Sequence, residues 1–313
     1  MANRRSIQFI TVAAFTAAIL ALALVPGTAH PSKQLANKID TALIRFGVMV
    51  TDEAGHFVPN LRHDAFTLYE DGVEQEIVAF RSDVDGGCSI SLVVDTFSFR
   101  RGQVGPVSKA ALDIIRLARN NDEIALIQTG PEPQILQPFT SDKRALEDTI
   151  SRLEPSEGAN LIDAIAVAAD YARKQGKQEE YRRKAVVILT DGAGKIGEVR
   201  EQKLEPYFRQ SARVSGTEVY LVAFTSTRLA NKESVTRLAG NSFGSAFFVG
   251  TWNELGQSVA QLITEIQAPY MLFYYPTDDR LDGTFRRVRI EARDKDRHPL
   301  RVFARDGYWA PSL

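Results

Sequence analysis

The sequence holds a single cysteine, Cys88, so no disulfide can close within the chain. A lone thiol usually ends as a small buried hydrophobe. Nucleophilic use would need a histidine partner, and past residue 29 only His30, His56, His63 and His298 are on offer, none near Cys88 in sequence. Excess charge is lacking too. With 38 Lys and Arg against 39 Asp and Glu, the formal net charge is −1; that argues against nucleic acid as a partner, because phosphate binding is driven by clustered cations. The short basic runs Arg182-Arg183-Lys184 and Arg286-Arg287 read as solvated flanks of strands or helices. There is no low-complexity stretch and no glycine-rich phosphate loop; Gly192-Ala193-Gly194-Lys195 is a fragment without the required spacing. The Gly-x-Ser-x-Gly elbow of serine hydrolases is absent as well.

The chain opens on Arg4 and Arg5, followed by an apolar run from Ile7 to Val25, then Gly27 and Ala29 at the −3 and −1 positions of a cleavage site. This predicts an export signal over 1–29, cut after Ala29, and a periplasmic or extracellular location. Loss of the signal takes two arginines and no acids, so the charge becomes −3. The run is also just long enough to span a bilayer, so a membrane partner is expected only if the segment stays uncleaved. Residues 30–41 read as a polar linker.

Residues 42–85 have a strand-like rhythm. Leu43 to Val50 is apolar and β-branched, Asp52-Glu53-Ala54-Gly55 is a turn, and Phe66 to Tyr69 alternates into a tight Glu70-Asp71-Gly72 turn before Ile77 to Phe80. From residue 86 to 268 strands and helices alternate. Ile90–Val94, Glu123–Gln128, Ile135–Phe139, Ala185–Leu189, Val219–Phe224 and Ala246–Val249 are short buried strands. Helical spacing marks 107–118, 146–153, 161–172 and 255–266, with further helices near 199–214 and 233–239. Near-continuous apolar strands alternating with helices predict an α/β fold, a doubly wound, mostly parallel sheet covered on both faces. Residues 269–313 return to β, with strands at 270–275, 284–291 and 300–304 and a hairpin signal at Asp282-Gly283. The two flanking β segments are expected to pack together as one small β unit.

In an open α/β sheet ligands bind beyond the carboxyl ends of the strands, where strand order reverses. Two strands here run into an aspartate, Val93-Val94 into Asp95 and Leu189-Thr190 into Asp191. Paired carboxylates at neighbouring strand ends suit a hard divalent cation. At these residues the chain resembles the von Willebrand factor A family, and within it bacterial secreted proteins. The likeness is carried by FTLYEDGVEQEIVAF (Phe66–Phe80), LIDAI (Leu161–Ile165), AVVILTDG (Ala185–Gly192), FYYPTDDRLDGTFRRVRI (Phe273–Ile290) and RDGYWAP (Arg305–Pro311), in that order. It covers about Leu43 to Pro311.

The resemblance implies a metal-ion-dependent adhesion site built from Asp-x-Ser-x-Ser, a threonine in a later loop and a second aspartate. Asp95 and Asp191 match the two aspartates. The two serine positions fall on Phe97 and Phe99, and alignment on Leu161-Ile162-Asp163-Ala164 puts the threonine position at Ala159. Three hydroxyl ligands are thus missing. Asp95, Ser98 and Asp191 remain as a degenerate metal set, with Asn160, Ser156 or Thr96 as substitutes. Magnesium demands near-octahedral oxygen ligation, so no tightly held cofactor is expected, and magnesium or manganese are the ions to test. Asp95 and Asp191 then read as inherited architecture, their carboxylates accepting loop N–H bonds. Phe97 and Phe99 are either loop packing or, with Asn160, an aromatic patch for a protein partner. The expected function is an exported protein-binding or scaffold module, not an enzyme. The alternatives are a hydrolase of the haloacid-dehalogenase kind using Asp95, which lacks the second acid because that position is Phe97, and a structural component of an envelope assembly without ligand.

Overall fold

The computed structural model describes residues 43–83, 86–97, 104–158, 161–179, 182–190, 217–224, 236, 239–240, 242 and 244–310. The predicted signal, the linker and the helices expected near 199–214 and 233–239 therefore lie outside the described residues, apart from a few positions of the last. No helix among the described residues is long and apolar enough to cross a membrane.

Four strands come first: β1 (Ile44–Thr51), β2 (Phe66–Glu70), β3 (Val73–Gln75) and β4 (Ile77–Ser82). The α/β part follows with β5 (Cys88–Val94), α1 (Val104–Leu117), β6 (Glu123–Gln128), β7 (Gln134–Thr140), α2 (Lys143–Ser151), α3 (Leu161–Gln175), β8 (Arg183–Thr190), β9 (Thr217–Phe224), β10 (Ala246–Val249) and α4 (Trp252–Ile266). Four more strands close the chain: β11 (Tyr270–Tyr274), β12 (Phe285–Arg293), β13 (Pro299–Phe303) and β14 (Gly307–Trp309).

The α/β sheet has the order β10-β9-β8-β5-β6-β7, parallel throughout except for β7, which pairs antiparallel with β6. Its strands are apolar on both faces because both are covered. Ile90, Leu92 and Val94 pack with Val107, Ile114, Leu255 and Leu262 of α1 and α4. Val93, Val186 and Ile188 point the other way, onto Leu161, Ala164 and Ala168 of α3. The helix starts are written in the sequence. The Asp142 carboxylate accepts from the Arg144 and Ala145 N–H groups ahead of α2. Thr251 accepts from Glu254 N–H while the Glu254 carboxylate takes Gly250 N–H, a reciprocal cap on α4.

The strands before and after the α/β part pair with one another in a second, antiparallel sheet, ordered β3-β2-β12-β13-β1-β11-β4 with β14 beside β12. In a flat sheet β2 and β4, five strand spacings apart, would stand about 24 Å from each other. The rings of Phe66 on β2 and Phe80 on β4 are instead 5.6 Å apart, so the sheet curls round its own core of Phe46, Val48, Leu68, Tyr270 and Leu272. The β2–β3 turn is Asp71-Gly72, both at positive φ, the geometry of a two-residue turn that matches strand twist.

Two sequence expectations change here. Asp282-Gly283 does not close a hairpin: β11 pairs with β1 and β4, whereas β12 pairs with β2, β13 and β14. Gly283 does take positive φ, but Asp282 serves to hold the Thr284 N–H and Arg286. Within the basic runs Arg287 is exposed, as expected, but three of the arginines are not solvated. Arg182 is buried, with bonds to Ser89 Oγ, Cys88 O and Asn121 O. Arg183 bonds Glu218 Oε2 at 2.6 Å and Glu265 O at 2.9 Å. Arg286 is buried beside Asp278 and Asp282. A guanidinium can be buried when carboxylates and carbonyls take its donors, and residue type alone does not reveal those partners.

Arg183 belongs to the joint between the two sheets. Glu218 at the start of β9 accepts from Arg183 and from Tyr220 Oη at 3.0 Å, and lies 3.4 Å from Arg45 of β1. Arg305 donates to Arg45 O and sits over the Phe46 ring. The curled sheet therefore meets the α/β part at the amino ends of its strands, the end opposite Asp95.

Candidate functional site

Strand order fixes where a site can lie. From β5 the chain moves one way, to β6 and β7, then crosses through α3 to β8 on the other side. The reversal falls between β5 and β8, and Asp95 stands at the carboxyl end of β5. Register does the rest: Val94 pairs with Gln128 of β6 and with Leu189 of β8. Asp95 is therefore level with Thr129 on one side and Thr190 on the other.

Both threonines use this. Thr129 Oγ1 donates to Asp95 Oδ1 at 3.0 Å, and Thr190 Oγ1 donates to Asp95 Oδ2 at 2.7 Å. The Phe97 N–H donates to Oδ1 at 3.2 Å. The main chain is tied in the same way, Asp95 N–H to Leu189 O and Thr129 N–H to Val94 O. Asp95 is 1% exposed. A carboxylate taken this far from water is tolerated when donors surround it, and here they come from three strand ends. The sequence reading missed Thr129, just past β6, and Thr190, the last residue of β8, because only strand register brings them level with Asp95.

The substitute ligands proposed from sequence have other partners. Thr96 Oγ1 accepts from Gln128 Nε2 at 2.7 Å, and the same amide reaches Glu154 O. Ser156 Oγ donates to Gly158 O at 2.8 Å. Phe97, half-buried, lies two residues past Asp95. Ser98, Phe99, Asn160 and Asp191 lie outside the described residues, so of the six candidate site residues Asp95 and Phe97 are the two described. Cys88 is far from this end. Its thiol bonds Ile266 O, and burial pushes it up to about 12.

A second group of ligand-type side chains, Asp294, Asp296 and His298, sits in the β12–β13 turn. The turn itself accounts for it. Asp294 Oδ1 accepts the Asp296 and His298 N–H groups, and Oδ2 faces His298 Nδ1.

Residues 91–193 match the family model described as von Willebrand factor type A domain. The chain contains a von Willebrand factor type A domain. Solved structures that the chain matches include a von Willebrand factor type A protein from Catenulispora acidiphila, 10% identical, covering 81% of this chain and 76% of that one at a TM-score of 0.49. BatB from Bacteroides thetaiotaomicron is 13% identical over 58% of this chain and 98% of its own, at 0.46. Proximal thread matrix protein 1 from the mussel byssus, with a zinc-occupied adhesion motif, is 16% identical over 63% and 49%, at 0.47. No curated protein matches the chain. A domains are in general interaction modules that can bind magnesium or manganese at their adhesion site, and Asp95 lies within the matched residues.

Proposed function

We propose that this chain is an exported binding or scaffold protein whose A domain recognises a protein partner at the carboxyl ends of its strands without a tightly held metal. Within this reading residues 1–29 are a removed export signal and 30–41 a linker. Segments 42–85 and 269–313 form the β unit around the A domain at 86–268, and the protein works in the periplasm or outside the cell.

One observation carries the metal-free reading: Asp95 is spent on structure. Its two oxygens accept Thr129, Thr190 and Phe97, while the positions that should offer serine hydroxyls are Phe97 and Phe99. Thr96 and Ser156, the nearest replacements, are engaged with Gln128 and Gly158. Among the described residues this oxygen set does not fit an ion that demands octahedral ligation. The same burial counts against the hydrolase alternative, since a nucleophilic aspartate must reach its substrate. Phe97, at the mouth of the site, is then the aromatic anchor of the interface, together with Phe99 and Asn160.

The test is a photo-crosslinking phenylalanine analogue in place of Phe97, irradiated in the native envelope. One discrete protein adduct, equally strong in EDTA and in magnesium, is expected. No adduct, or an adduct that requires metal, contradicts the reading.

A further inference from the structure

The curled sheet turns an outer face away from its own core. On β12 the alternation of a strand sends Arg286, Val288 and Ala292 inward and Arg287, Arg289 and Arg293 outward. Arg293 lies directly opposite Pro299 of β13, so Arg301 and Phe303, two and four residues on, share the same outer face. All four of these arginines are exposed. Phe285, at the start of β12, is 41% exposed, and Phe303 is 49% exposed. Tyr69 lies opposite Arg289 on β2, its ring 4.1 Å beneath the guanidinium. The described acids beside these arginines are Glu291, ion-paired with Arg289, Glu74, opposite Tyr69, and Asp71, whose carboxylate accepts the Arg287 N–H and leaves the Arg287 guanidinium unpaired by it.

We propose that this face docks on an anionic phospholipid surface. The chain as a whole is slightly acidic, so overall charge does not draw it to anions; a local cluster does. Arginine forks match phosphate oxygens two at a time. The arginines are spread over the face of two adjacent strands rather than lining a groove, which suits a surface better than a peptide. The exposed phenylalanines beside them provide apolar contact at headgroup level, as basic and aromatic side chains do together in interfacial segments. An acidic protein is the rival occupant, and the experiment separates the two. This inference is independent of the partner proposed for Asp95 and Phe97, which lie in the other sheet.

The experiment is flotation of the full chain with vesicles of phosphatidylcholine alone and with about one third phosphatidylglycerol. The variants are Arg287→Gln, Arg289→Gln, Arg293→Gln and Arg301→Gln, singly and combined, with Arg116→Gln on α1 as control. Circular dichroism melts establish that each variant is folded. The readout is the preference for anionic over neutral vesicles, which separates the face from the apolar run at 7–25. Each substitution on the face should lower that preference about fivefold, the attraction of one basic residue to an anionic leaflet. The combined variant should abolish most of it, as should high salt, and Arg116→Gln should leave it unchanged. The proposal is overturned if the chain shows no anionic preference, if the combined variant retains it, or if the chain binds polyglutamate but not vesicles.

Discussion

Replacing Asp95 with alanine separates a structural aspartate from a metal ligand. Among the described residues the substitution takes one acceptor from three donors at once: Thr129 Oγ1 at 3.0 Å, Thr190 Oγ1 at 2.7 Å and Phe97 N–H at 3.2 Å. Hydrogen bonds to a charged partner contribute about 1.5–3 kcal/mol each, and a buried donor left unmet costs about 1–3 kcal/mol. The two hydroxyls can rotate to nearby carbonyls; the Phe97 amide cannot. Loss of a buried carboxylate also removes a desolvation cost. Together these put the expected loss at about 3 kcal/mol. The assay is urea unfolding of wild type and Asp95→Ala, each in EDTA and in magnesium. Equal destabilisation in both buffers is expected, because the bonds broken are within the protein. Thr190→Val should lose about 1 kcal/mol alone and less in the Asp95→Ala background, since both remove the same bond. A loss under about 1 kcal/mol, or one seen only with magnesium, would refute the reasoning.

Other expectations follow from the buried groups. Glu218→Ala leaves Arg183 and Arg45 facing each other without their carboxylate, and should cost about 3–5 kcal/mol in the same assay, partly recovered by Arg183→Met. Burial pushes the Glu218 carboxyl up, but Arg183 and Arg45 outweigh it and hold the group below its ordinary value. Its contribution is thus present above the unfolded value of about 4.3 and is lost as pH falls through the lower folded one; acid unfolding of Glu218→Gln should be less steep than that of wild type. Tyr274 and Tyr308 both donate to Glu70 Oε2, at 2.6 and 2.9 Å, and each change to phenylalanine should lower stability by about 1.5 kcal/mol or more. The Cys88 thiol, buried and raised to about 12, should react with thiol reagents at pH 8 only as fast as the chain unfolds.

The parallel strands were legible in the sequence because a strand covered on both faces is buried at every position and therefore mostly apolar, as Cys88–Val94 is apart from Ser89 and Ser91. Asp95 was legible because a polar residue ends that run. Its partners were not: Thr129 and Thr190 are adjacent to it only through strand register, which no local pattern encodes. The buried arginines were misread for the same reason, since Arg182, Arg183 and Arg286 find their acids and carbonyls in other elements. Most instructive are the motifs that carried the family resemblance at its two ends. Glu70 of the YEDG turn, Tyr274 of the FYYP segment and Tyr308 of the RDGYW segment meet in one buried hydrogen-bonded cluster. These motifs hold the curled sheet together, and their spacing in sequence gave no hint that they touch. Short strands escaped as well. β3 and β14, three residues each, are too brief for alternation to show.

The central claim is that the adhesion site of this A domain no longer holds a metal tightly. Titration calorimetry of magnesium and manganese into the full chain, with the Asp95→Ala/Asp191→Ala variant as control, tests it most directly. The account predicts no binding heat that distinguishes the two proteins. Micromolar binding to the wild type that vanishes in the variant would contradict it, and would mean that other oxygens rebuild the site around Asp95.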